Sequence, residues 1–72
     1  MRTFSAYVEL DPVTKLYVGI VPGVHGAHTQ AASLDELQKN LKEVLELCLE
    51  EQTIPAKKIP KFVGVQQIEI SV

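Results

Sequence analysis

The run from Ser33 to Glu51 constrains this chain more than any other feature, because its pattern fits a single amphipathic helix. Ser33 can accept from the free N–H groups of a first turn. Glu36 stands where it can reach back to the Ser33 N–H, the reciprocal arrangement of a capping box. Asp35 and Glu36 put negative charge at the positive end of the helix dipole. At the helical repeat, Leu34, Leu37, Leu41, Val44, Leu45 and Cys48 fall on one stripe, and Lys39, Lys42, Glu43, Glu46 and Glu50 form the polar face. The spacing predicts a helix over 34–51. In a chain of 72 residues, one such helix leaves room for a small partner layer and little else.

The rest of the chain supplies that layer. Phe4, Ala6, Val8 and Leu10 alternate with Thr3, Ser5, Tyr7 and Glu9, which reads as a half-buried strand. Asp11-Pro12 opens a turn, and a second alternating run places Leu16, Val18 and Ile20 against Tyr17, Gly19 and Val21. The connection from Asp11 to Lys15 suits an antiparallel hairpin. Pro22-Gly23 and Gly26 follow, two glycines close enough to mark positive φ or close chain approach. Ala27 to Ala31 is expected to form a third strand, because a lone hairpin is marginal. Pro55 and Pro60 exclude a continuing helix or a central strand. Phe62 to Val72 reads as a last strand, with a bulge near Gln66-Gln67 to reconcile the odd Val63 and Val65 with the even Ile68, Ile70 and Val72. The expected fold is one α+β domain over 1–72, a two-layer β-β-β-α-β arrangement with an antiparallel sheet covered on one face by a single helix.

Composition excludes several classes. A hydrophobic fraction of 46% argues against disorder. One cysteine, Cys48, cannot form an internal disulfide, which points to a reducing compartment. There is no long apolar run and no signal-peptide pattern, so a cytoplasmic chain is expected, without a membrane. Seven Lys and Arg against nine Asp and Glu give a net charge of −2, which argues against nucleic acid as a partner of this chain alone. The one basic cluster, Lys57, Lys58 and Lys61, has no aromatic interleaving.

Small chains bury only about 60% of their unfolded surface and usually need a staple. With no disulfide and no zinc-spaced ligands, self-association into a dimer or higher oligomer is the expected one. Its interface is expected on the sheet's open face, at Tyr7, Tyr17, Val21, Val63 and Val65, together with Leu47 off the helix stripe. Charge is also polarised: between Ser33 and Gln52 six acids oppose two lysines. An acidic helix can steer a basic partner, with Glu43, Glu46 and Glu50 as its charges. Chemistry is sparse. His25 and His28 are the only histidines, with no acid or thiol nearby in sequence, and Cys48 lies on the buried stripe. No catalytic, cofactor or metal site is expected. The least favoured reading is a small enzyme using His25 or His28.

From Tyr7 to Glu51 the order of signals resembles the HicB-like antitoxin family. The residues that carry it are Val8-Glu9-Leu10-Asp11 at the first turn and Tyr17-Val18-Gly19-Ile20 in the second strand. They continue with Pro22-Gly23, Gly26-Ala27-His28-Thr29-Gln30, Ser33-Leu34-Asp35-Glu36-Leu37 and the helix middle from Asn40. Ala27 stands where the family commonly has Cys, His25 where Pro is common, and Ala31-Ala32 where Gly-Asp is typical. The resemblance implies the same β-β-β-α-β fold. It also implies an antitoxin or orphan antitoxin-like module that neutralises a small, basic HicA-type toxin, which cleaves mRNA. Longer family members often add a DNA-binding module, and none follows within these residues. The alternative expectation is a self-assembling interaction module with no toxin partner.

Overall fold

The computed structural model describes residues 2–52 and 56–71. Three strands come first: β1 (Tyr7–Leu10), β2 (Tyr17–Ile20) and β3 (His28–Ala31). The helix α1 (Leu34–Glu51) follows, and then one turn of 3-10 helix at Ala56–Lys58. The strands form an antiparallel sheet in the order β1-β2-β3. Helix α1 packs over β3 and β2. The chain is thus an α+β fold with an open sheet, as its periodicity predicts.

Each connection follows from local chemistry. In the β1–β2 hairpin the Asp11 carboxylate accepts from the Val13 N–H at 2.8 Å, and the Asp11 carbonyl accepts from the Lys15 N–H at 2.9 Å. The turn closes with Lys15 at φ 64, a left-handed residue before the strand resumes. Between β2 and β3 the two glycines adopt φ 87 (Gly23) and φ 83 (Gly26), the conformation their spacing suggests. They let Val21 donate to the Ala27 carbonyl at 2.8 Å and Ala27 donate to the Val24 carbonyl at 3.1 Å. This compact loop buries Val21, Val24 and Ala27 beneath the helix.

Helix α1 begins where its cap predicts. The Ser33 hydroxyl accepts from the Glu36 N–H at 3.2 Å, while the return bond of a capping box is not formed. At the other end the Gln52 N–H donates to the Cys48 carbonyl at 3.0 Å. Ser33→Ala removes the cap acceptor and is expected to cost about 1 kcal/mol. A urea melt followed by far-UV circular dichroism reads that loss. A midpoint unchanged from the parent would show that water replaces the cap without cost.

The helix covers the face of β2 opposite to the one its side chains suggest. Residues paired across antiparallel strands share a face, and the pairs Val8–Gly19 and Gly19–Thr29 define the helix side. A Cβ at Gly19 would lie 2.9 Å from Leu41 Cδ1 and 3.4 Å from Leu37 Cδ2, so the missing side chain is what admits the helix. Tyr17 and Val21, expected on the open face, therefore lie on the helix side. Val21 is buried and Tyr17 packs on the core. The register places Tyr7, Glu9, Val18, Ile20, His28 and Gln30 on the open face. A helix about 10 Å wide covers roughly two strands spaced about 4.8 Å apart. Strand β1 is left outside its shadow, and Val8 and Leu10 stay exposed even on the helix side.

The expected last strand is not formed. Among the described residues no strand follows α1, and 62–71 runs as an exposed arm without pairing. Val72, the end of that expected strand, lies outside the described residues. The alternation of Val63, Val65, Ile68 and Ile70 makes the segment capable of pairing, and none of the described strands takes it up.

Candidate interaction surfaces

Helix α1 presents the first surface. Glu43, Glu46 and Glu50 follow one another at i+3 and i+4, so they line one side of the helix, and all three are exposed. Leu47 sits one turn from both Glu43 and Glu50 and is 59% exposed. An apolar side chain with acids around it can anchor a partner while the charges orient it. Sequence alone groups Leu47 with the sheet's open face. The helix geometry groups it with the acids instead.

The sheet presents the second surface. β1 is an edge strand, and the exposed Tyr7, Val8 and Leu10 give it apolar character on both faces. Between its N-terminal approach and α1 lies an open groove of about 460 Å³, lined in part by Phe4, Ala6, Val8, Leu34 and Leu45. The arm is rooted beside the start of this strand. The Phe62 and Tyr7 rings meet edge to face, with centroids 6.0 Å apart. Gly23 packs against Pro60 and Ile59, close enough that a Cβ there would strike the Pro60 ring. Val63 and Val65, expected on the open sheet face, stand on the arm beyond this root.

The residues that could carry chemistry stay apart. His25 lies exposed in the glycine loop, where its backbone carbonyl accepts from the Gln52 amide at 2.8 Å. His28 is exposed on β3. Among the described residues no group of three His, Cys, Asp or Glu side chains is placed to hold a metal ion. Cys48 is half-buried, with its sulfur 3.7 Å from the position a Gly26 Cβ would take. Lys57, Lys58 and Lys61 are exposed after the helix. No helix among the described residues is long and apolar enough to cross a membrane.

Sequence reading missed two features of these surfaces. The first is the inverted face of β2. An interior strand glycine was its visible signal, since a missing side chain in a strand often marks close approach by another element. The second is that the apolar arm remains free. That depends on where its root is seated, and alternation carries no such information.

These features define a small α+β protein with an open sheet, which exposes an acidic helix face and an apolar arm. The chain belongs to the UPF0150 family. It is 48% identical over 69 residues to a UPF0150 protein of Thermotoga maritima, covering 96% of this chain and 91% of that one. It is 46% identical to a UPF0150 protein of Archaeoglobus fulgidus, covering 93% of each. A Synechocystis member of the family is 38% identical, with 96% of each chain covered. No family model matches the chain, and no solved structure matches it.

Proposed function

We propose that this chain is a HicB-like antitoxin module of the cytoplasm, which holds a small, basic, mRNA-cleaving HicA-type toxin on the acidic side of α1. The observation that carries this reading is the exposed line Glu43, Glu46 and Glu50 with Leu47 beside it. The order of turn, glycine and helix signals from Tyr7 to Glu51 supports it independently. In this reading the three carboxylates raise the encounter rate with a basic surface, and Leu47 supplies the desolvated anchor that slows dissociation. The chain performs no catalysis of its own, and His25 and His28 act in the turn and on the strand without a reaction.

The test takes as its probe a purified HicA-type toxin, a small basic protein that cleaves mRNA. The parent chain is expected to bind it with an association rate that falls steeply as salt rises. Combined Glu43→Lys, Glu46→Lys and Glu50→Lys substitutions are expected to slow association by about tenfold or more at low salt and to flatten the salt dependence. Because all three positions are exposed, the helix content should not change. If the parent does not bind that toxin, or the charge-reversed chain associates as fast as the parent, the reading is wrong.

A further inference from the structure

We propose that two copies of this chain exchange their C-terminal arms, each arm of 62–71 adding as a strand to the free edge of the other copy's β1.

Exposure is the first argument. Val63 (89%), Val65 (83%), Ile68 (79%) and Ile70 (74%) are among the most exposed large apolar residues described. Single exposed apolar residues are ordinary, whereas four on one segment of ten mark a surface meant to be covered. Among the described residues, no backbone hydrogen bond ties 62–71 to the rest of the chain. A β-capable segment and an unpaired edge within one chain are the two halves of a strand addition.

Area and extent make the same point. A compact monomer of 8.0 kDa would expose about 4,450 Å². This chain exposes 6297 Å². The excess, about 1,800 Å² per copy, lies within the per-partner range of obligate dimers, roughly 1,000–2,500 Å². The radius of gyration is 14.0 Å, where a packed chain of this length would have about 11 Å.

The edge that receives the arm can be argued from its side chains. Among the described residues the sheet has two unpaired edges, β1 and β3. An arm with apolar residues at both odd and even positions wants apolar neighbours on both faces. β1 offers exposed Tyr7, Val8 and Leu10, and it lies outside the cover of α1. β3 offers exposed His28 and Gln30 instead. Among the described residues the arm does not pair with its own β1. Phe62 meets Tyr7 edge to face and Pro60 is seated on Gly23, which places the arm's departure beside the start of its own β1. A second copy, related by a twofold axis, has the same edge free. Each copy then gives and receives one arm, and the assembly closes at two.

The test measures mass and amide exchange on the full chain. Light scattering is expected to give twice the 8.0 kDa chain mass at micromolar concentration. Ile68→Lys combined with Ile70→Lys is expected to give the monomer mass with the helical circular dichroism signal retained. In the parent, the amides of 63–71 and of Tyr7–Leu10 are expected to exchange at least about tenfold more slowly than in that variant. Should the variant fail to fold, exchange in the parent still decides. A monomeric parent would overturn the proposal. So would a dimer that survives both lysines, or a dimer whose arm amides exchange at the free-chain rate. None of these outcomes bears on the acidic face of α1, so this proposal and the antitoxin reading fail separately.

Discussion

Replacing Leu37 by alanine is expected to leave a large fraction of the chain unfolded at room temperature. Leu37 is the largest fully buried side chain described, 2% exposed, and one of its methyl groups packs beside those of Leu41 over Gly19. Truncating a buried leucine costs about 2–5 kcal/mol, part from lost transfer energy and part from the cavity left behind. The site cannot collapse easily, because Gly19 beneath it has no side chain to move upward. A single core of this size supplies only roughly 3–5 kcal/mol, so one substitution is comparable with the whole margin. Leu47→Ala is the matched control. It removes the same atoms from the same helix at an exposed position, and surface changes of this kind stay within about 0.5 kcal/mol. Urea melts of both variants at one protein concentration make the comparison. Equal midpoints for the two would mean that Leu37 does not anchor the core.

Gly23→Ala is expected to cost about 2–4 kcal/mol, and most of it traces to two separable causes. At φ 87 an alanine pays the left-handed penalty of roughly 1–2 kcal/mol. Its Cβ would also press on Pro60, whose displacement disturbs the seat of the arm. Gly26 separates the causes. It shares the positive φ, at 83, yet a Cβ there meets only the Cys48 sulfur at 3.7 Å, an ordinary contact. Gly26→Ala is therefore expected to show the backbone penalty alone. The difference between the two midpoints measures what the Pro60 contact is worth, and no difference would mean that the arm's root is free to shift.

The glycine comparison also shows how much of the candidate surfaces was legible in advance. Two glycines in the 23–26 loop announced positive φ, and both have it. Nothing local announced that Pro60 would sit on one of them, because that contact joins segments nearly forty residues apart in sequence. The helix was read from end to end, since its cap, stripe and polar face all lie within its own residues. Its acidic line was legible for the same reason. The hairpin was legible through Asp11, whose carboxylate organises the turn.

The helix takes the face of β2 opposite to the one hydrophobicity selects, and the reason is physical. Leu16, Val18 and Ile20 are more hydrophobic than Tyr17, Gly19 and Val21, so a rule that buries the larger apolar set turns them inward. Packing followed shape. The side with the glycine can bring its backbone against Leu41 and Leu37, and the helix settles there. The bulkier set was left on the open face, where Ile20 remains exposed. Tyr17 and Val21 went to the core side as a consequence.

The sequence by itself determined what depends on near neighbours: where the helix starts and stops, where the chain turns, and which segments alternate. Hydrogen bonds and rotamer preferences within a few residues specify those features. Only the tertiary structure decided which side of the sheet the helix takes, how far its cover reaches, and that the alternating segment 62–71 runs unpaired past its own sheet. Alternation states that a segment can pair. A strand exists only when another backbone meets its N–H and C=O groups, and that partner is set by the whole fold.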